Sequence, residues 1–131
     1  MTIDRYVVAV AFLALASAAL VGCGGKNYTP PPAADPATAR SALEKALDCW
    51  RLRITPDELL KAEPSITVAD EDWLDGRRLL EFQLLSGEQA LGTSIRWPVR
   101  LKVVGADGRE QVVEVIYVVS TNPIIHIHRR D

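Results

Sequence analysis

The two histidines near the C-terminus are the residues whose spacing best fits metal binding. His126 and His128 are two positions apart, so on a β-strand both imidazoles point to the same face. A zinc site needs at least a third protein ligand, and nothing in the sequence fixes Asp131 or Glu81 beside them. If Ile125 and Ile127 face the helix, both histidines are exposed to solvent. They are therefore the candidate metal ligands of the chain, but we expect no metal site.

A second group of chemically capable residues is a run of acids around a tryptophan. Asp70, Glu71, Asp72 and Asp75 surround Trp73. Paired carboxylates can transfer protons or bind calcium. The spacing is not that of an EF-hand loop, and acids in a turn commonly face solvent or cap a helix. We therefore assign these residues no catalytic role.

Three tryptophans are the large aromatic residues of the chain. Trp50, Trp73 and Trp97 either line a cavity or partner surface, or fill the core of a small domain. The sequence lacks a Gly-rich phosphate loop, a recognisable nucleophile motif and a cysteine-pair metal motif. We therefore expect no cofactor. We favour a place in the core for the tryptophans, with a pocket or partner surface as the alternative.

The N-terminus has the pattern of a secretory signal. A short polar start containing Arg5 precedes an uninterrupted apolar run over 7–21, which matches the apolar region of a signal peptide. A membrane-spanning helix needs about 20 apolar residues, and this run ends at Gly22. The sequence predicts a signal peptide over 1–22.

The end of this signal carries a recognisable motif, Leu20-Val21-Gly22-Cys23. It resembles the lipobox of bacterial lipoproteins. The resemblance implies cleavage between Gly22 and Cys23 and a diacylglyceryl group on the Cys23 thiol. Stable anchoring takes more than one acyl chain, and such a cysteine carries two or three. Cys49 would then have no disulfide partner in the chain, and we predict that it is a small buried residue on a helix.

The residues after the lipobox predict a destination and a spacer. Gly24 and Gly25 stand where many Gram-negative lipoproteins retained in the inner membrane have Asp. The resemblance thus implies an outer-membrane anchor facing the periplasm if the bacterium is Gram-negative. Residues 23–35 include Pro30 to Pro32 and predict a linker, with a stiff polyproline part that spaces the domain from the bilayer. A proline-rich ligand for a partner is the alternative.

Length limits the remaining chain to one small domain, and charge argues against one class of partner. The 131 residues carry a net charge of −2, and about 95 of them remain to fold over 36–131. Acids and bases are interspersed, whereas nucleic-acid binding needs a clustered basic face. We expect no nucleic-acid partner. The expected partners are the membrane, through the lipid, and an envelope protein.

Two helices are predicted at the start of this domain. Asp35-Pro36 reads as a cap and first helical residue, followed by apolar residues at helical spacing to about residue 52. Thr55 and Glu58 predict the capping box of a short second helix, which ends before Pro64.

The remainder alternates with the period of strands. Predicted strands cover 66–68, 77–85, 95–104, 110–120 and 124–129, with a turn over 70–76, a loop over 87–93 and a hairpin turn at Gly105 to Gly108. Val99, Leu101 and Val103 alternate with basic residues, so one face is packed and the other wet. The fold class is α+β, with the N-terminal helix on a curved antiparallel sheet of four to five strands.

This order of elements resembles cystatin-like and nuclear-transport-factor-like α+β domains. A narrower resemblance, to small lipoproteins of unknown function from environmental bacteria, rests on scattered residues: Trp73, Gly76, Trp97, Tyr117-Val118-Val119, Asn122-Pro123 and the terminal Ile-x-Ile-x-Arg of 125–129. Neither resemblance implies catalytic residues. We expect a non-enzymatic, membrane-tethered binding or interaction module. The alternative is a ligand-binding or enzymatic pocket between helix and sheet.

Overall fold

A computed structural model describes residues 32–130, which lie in one compact unit. The fold is α+β, as predicted. Its elements in chain order are α1 (Pro36–Arg51), α2 (Pro56–Leu60), β1 (Ile66–Ala69), α3 (Glu71–Leu74), β2 (Leu79–Leu84), β3 (Gln89–Leu91), β4 (Ser94–Val104), β5 (Glu110–Ser120) and β6 (Ile125–Arg130). The predicted signal peptide and lipobox, with Cys23, lie outside the described residues. No helix within residues 32–130 is long and apolar enough to cross a membrane.

The predicted first helix is confirmed as α1. Asp35 caps it, and its carboxylate accepts a hydrogen bond from the Ala37 amide at 3.3 Å. The amide of Asp35 itself donates to Thr121 Oγ1 at 3.2 Å, which fixes the start of α1 beside the turn after β5. The apolar stripe of the helix is buried against the sheet: Ala39, Ala42, Leu43, Ala46, Leu47 and Trp50.

Helix α1 ends in a left-handed turn at Arg53. The Arg53 amide donates to the carbonyl of Trp50 at 2.9 Å, and the Ile54 amide donates to that of Cys49 at 2.8 Å. This pair of bonds is the Schellman motif, whose left-handed position is usually glycine. Arg53 occupies it with φ of 63°. The chain then enters α2, where Thr55 Oγ1 accepts from the Glu58 amide as predicted.

The sheet is larger than predicted, and it is mixed. It has six strands in the order β1-β6-β5-β4-β2, with β3 also paired to β4. Strand β1 runs parallel to β6, with Ile66 opposite Ile125, so the prediction of an antiparallel sheet was wrong. The chain leaves β1 through α3 and crosses to β2 at the other edge. The last strand, β6, then lies beside β1 and runs parallel to it. This pairing joins segments that are distant in the chain, and local alternation does not specify it.

The strand that the sequence did not predict is β3, which lies within the segment predicted as a loop. Gln89 pairs with Arg96 and Leu91 with Ser94, around a tight turn at Gly92, where φ is 57°. All three residues of β3 are exposed. The strand therefore lacks the buried, alternating side chains from which a strand is recognised in sequence.

The core lies between α1 and one face of the sheet. Val99, Leu101 and Val103 of β4 are buried there, which confirms the predicted alternation. The sheet has two ends. We call the end near Thr121 the tether-side end, because residue 35 is bonded there. The opposite end, where Val104 bonds to the carbonyl of Arg78, is called the far end.

Candidate functional site

A cleft of about 470 Å³ opens at the far end of the domain. Its walls come from three segments: the C-terminal end of α1, the turn into α2, and α3 with the turn that follows it. The lining residues are Trp50, Arg53, Ile54, Thr55, Pro56, Asp57, Trp73, Leu74, Gly76, Arg77 and Arg78. We call it the arginine cleft.

Two of the three tryptophans meet at the base of the arginine cleft. The rings of Trp50 and Trp73 stack with their centroids 5.6 Å apart and an interplanar angle of 9°. They are only 2% and 6% exposed. Stacked aromatic pairs contribute about 0.5–1.5 kcal/mol beyond the area that they bury. The pair is thus a rigid apolar base that belongs to the core and to the cleft.

Each indole also holds the opposite wall in place. The Trp50 Nε1 donates to the carbonyl of Arg77 at 2.8 Å, and the Trp73 Nε1 donates to the carbonyl of Ile54 at 3.1 Å. α1 therefore fixes the turn that carries Arg77 and Arg78. In return, α3 fixes the turn that carries Arg53.

Arginines give the cleft its charge. The Arg77 guanidinium pairs with Asp72 at 3.0 Å. The side chains of Arg53 and Arg78 are exposed and form none of the ion pairs found among residues 32–130. Asp57 is the acidic residue among those that line the cleft. The cleft therefore has a surplus of positive charge above an apolar base.

This arrangement is suited to anionic ligands. A guanidinium forms paired, charge-assisted hydrogen bonds with carboxylates and phosphates. The accessible apolar area beside those charges comes from Leu74, which is 63% exposed, and from Ile54 and Pro56, above the buried indoles. Carboxylate-bearing or phosphate-bearing molecules with a small apolar part match both features.

The third tryptophan of the predicted set lies elsewhere. Trp97 is 4% exposed on β4, in the core between α1 and the sheet, and it does not line the cleft. The structure therefore brings together Trp50 and Trp73 and separates Trp97 from them.

The predicted acidic cluster is divided between the interior and the surface. Asp70 is 1% exposed and caps α3 through the Asp72 amide at 3.0 Å. Its other carboxylate oxygen accepts a 2.6 Å hydrogen bond from Tyr117 Oη. Burial, and then the charge of Asp70, raise the pKa of Tyr117. Glu71 is exposed to solvent.

Arg129 completes this buried network by contacting both Asp70 and Asp72. Sequence reasoning missed the network because its members are far apart in the chain. Tyr117 lies opposite Arg129 in the β5–β6 pairing, and Ala69 pairs with His128. Only the parallel pairing of β1 with β6 places the acids beside Arg129. The network ties α3 to the sheet and so supports one wall of the cleft.

The histidines lie on the face of the sheet opposite the helix. Their ring centroids are 5.6 Å apart, and desolvation, with smaller effects from His126 and Arg130, lowers the pKa of His128. Among residues 32–130, no three His, Cys, Asp or Glu side chains are arranged to hold a metal ion. Cys49 is half-buried on α1, where desolvation raises the pKa of its thiol.

No family model, curated protein or solved structure matches this chain.

Proposed function

We propose that this protein is a lipid-anchored envelope lipoprotein whose domain binds an anionic ligand in the arginine cleft, without catalysing a reaction. The observation that carries the binding proposal is the pair of exposed arginines, Arg53 and Arg78, above the stacked indoles of Trp50 and Trp73. The ligand class is a carboxylate or phosphate compound, or an acidic segment of an envelope protein.

The cleft lies at the end of the domain opposite the linker, a position that suits a ligand bound away from the anchor. α1 has 16 residues and thus spans about 24 Å. Its first turn is bonded to Thr121 at the tether-side end, and its last turn lines the cleft. A ligand in the cleft therefore binds about one helix length from the point where the linker joins the domain.

The chemistry of the site supports binding rather than catalysis. Asp70 and Asp72 are engaged by Tyr117, Arg129 and Arg77, so these carboxylates hold the fold together. Desolvation raises the pKa of the Cys49 thiol, which disfavours the reactive thiolate. The space between α1 and the sheet holds a cluster of buried apolar side chains, which favours a surface cleft over an internal pocket.

Native mass spectrometry of the full chain, extracted gently from cell membranes, tests the ligand. We expect a bound anionic molecule on the unaltered protein and its loss from the double variant Arg53→Ala, Arg78→Ala. The matched control is Lys61→Ala, Arg109→Ala, which removes two exposed cations outside the cleft. Identical ligand occupancy in all three proteins would contradict the assignment of the cleft.

A separate experiment tests the anchor. Cys23→Ser should abolish labelling with a radioactive fatty acid and leave an unprocessed or soluble protein. Cys49→Ser is the matched control and should be labelled normally. Labelling that persists in Cys23→Ser would show that the lipobox interpretation is wrong, with no bearing on the cleft.

A further inference from the structure

The sheet face opposite α1 carries different charged residues in its two halves. In the far half of this face the basic residues are paired with acids, Arg100 with Glu114 at 2.9 Å and Lys102 with Glu110 at 3.4 Å, and Glu81 lies there as well. The register of the strands places a different set of residues in the tether-side half: Thr67, Ala69, Gln89, Leu91, Ser94, Arg96, Pro98, Ile116, Val118, Ser120, His126, His128 and Arg130. We call this half the basic face, since it includes two arginines, Arg96 and Arg130, and no acid.

The charge of the basic face comes from its two arginines. Neither Arg96 nor Arg130 is in an ion pair among residues 32–130. The buried Nε of Arg96 also has no hydrogen-bond acceptor. The nearest acid along the chain from β3 is Glu88, in the loop that precedes it. A surface of this kind fits an anionic partner.

Two apolar side chains lie at the same end. Leu91, beside the β3–β4 turn, is 48% exposed, and Ile124, in the β5–β6 turn, is 58% exposed. Both turns are at the tether-side end, because Leu91 pairs with Ser94 and Ser94 with Ser120. Exposed apolar residues at the edge of a basic surface are the combination with which peripheral proteins enter the headgroup region of a bilayer.

The proposed lipid anchor and linker keep this end close to a membrane. Eleven residues lie between Cys23 and Asp35, and even a fully extended chain over those twelve Cα–Cα steps reaches only about 40 Å. Short linkers raise the effective concentration of a tethered domain to about the millimolar range. Weak affinity for the bilayer is then sufficient for docking.

We infer that the basic face and the two apolar turns dock the domain onto an anionic lipid surface, with Leu91 and Ile124 entering the headgroups. The biological need for docking rests on the proposed lipid anchor, but the affinity of the surface does not. A bilayer is favoured over an acidic protein because the basic face is continuous with the end where the linker joins. Docking in this orientation leaves the arginine cleft at the end away from the membrane.

Vesicle sedimentation tests the inference with the mature chain from residue 23, carrying Cys23→Ser so that lipidation plays no part. We expect binding to equimolar phosphatidylcholine and phosphatidylglycerol, and little binding to phosphatidylcholine alone. The variant Arg96→Gln, Arg130→Gln should bind the anionic vesicles roughly 25-fold more weakly, at about fivefold per arginine. Circular dichroism confirms that each variant is folded.

Three matched variants control for net charge and apolarity. Arg100→Gln, Lys102→Gln removes the same charge from the far half, and Lys61→Ala, Arg109→Ala removes it from outside both the basic face and the cleft; both should bind nearly as well as the parent chain. Leu91→Ser, Ile124→Ser should bind more weakly. The control Leu52→Ser, Val112→Ser changes two apolar residues outside the basic face that are 66% and 63% exposed. It should bind the anionic vesicles as well as the parent chain.

Two results would overturn the inference. One is the absence of binding to anionic vesicles, or an equal loss from the variants in both halves of the sheet face. The other is binding to polyglutamate through Arg96 and Arg130 without binding to vesicles, which would make the basic face a protein interface. Neither result bears on fatty-acid labelling of Cys23 or on ligand occupancy of the cleft, so a failure here is distinguishable from a failure of the proposed function.

Discussion

Arg53 is the residue whose conformation points most directly to a function. Its left-handed backbone costs a non-glycine residue about 1–2 kcal/mol. The same chain uses glycine for the same task at the end of α3, where Gly76 has φ of 81° and donates to the carbonyl of Trp73 at 3.0 Å. A strained residue beside a cleft is a reasonable sign of a functional side chain.

Substitutions of Arg53 therefore distinguish its effect on stability from its effect on ligand binding. Arg53→Gly should raise the free energy of unfolding by about 1 kcal/mol, because glycine adopts the left-handed conformation without strain. Arg53→Ala should give no such gain. Both variants should lose affinity for the ligand. Urea denaturation measures the first effect, and equal stability of the Gly and Ala variants would contradict the strain.

His128 should make stability depend on pH. Its pKa is lowered, chiefly by desolvation and then by His126 and Arg130, so the native state favours the neutral imidazole. Arg96 also lies on this face, one strand away beyond Val118. Stability should be intact above the ordinary histidine pKa of about 6.5 and fall below it.

Denaturation at a series of pH values measures this effect. His128→Gln should flatten the curve between about pH 7 and 5. An unchanged pH dependence in that variant would assign the titration to other groups.

At the scale of elements, the sequence predicts structure that depends on neighbouring residues. It does not predict structure that depends on contacts between distant segments. Caps, periodicity and turn residues were sufficient for α1, α2 and the β4–β5 hairpin, since each signal lies within a few residues. The parallel pairing of β1 with β6 depends on residues about 60 positions apart, as in Ile66 opposite Ile125. The Asp70–Tyr117–Arg129 network depends on that pairing and was missed with it. The arginine cleft was not predicted: the three tryptophans were assigned to the core, with a pocket as the alternative, and two of them lie at the cleft.

The contact between α1 and α3 leads to a prediction about the cleft walls. Trp73→Phe keeps an aromatic ring on Trp50 but removes the donor to the carbonyl of Ile54. We expect a loss of about 1–3 kcal/mol in unfolding free energy and faster hydrogen exchange at the Ile54 amide. Trp97→Phe, in the core outside the cleft, should leave that amide unchanged. Equal exchange rates in both variants would show that the indole does not hold this wall.

At the scale of the whole molecule, the two ends of the domain have different surfaces. The tether-side end carries the basic face and exposed apolar turns, while the far end carries the arginine cleft and its indole base. α1 joins them, since Asp35 is bonded at one end and Trp50 at the other. This polarity suits the proposed tethered binding module, because the proposed anchor and ligand then do not compete for one surface.

The three indole N–H groups provide the most direct measurement of the central claim, that the arginine cleft binds anionic ligands. The ¹⁵N-labelled mature chain is titrated with citrate and with a short glutamate peptide while the indole resonances are followed by NMR. We expect the resonances of Trp50 and Trp73 to shift with saturation, that of Trp97 to stay in place, and the shifts to vanish in Arg53→Ala, Arg78→Ala. Unmoved cleft resonances, or shifts that persist in the double variant, would contradict the claim.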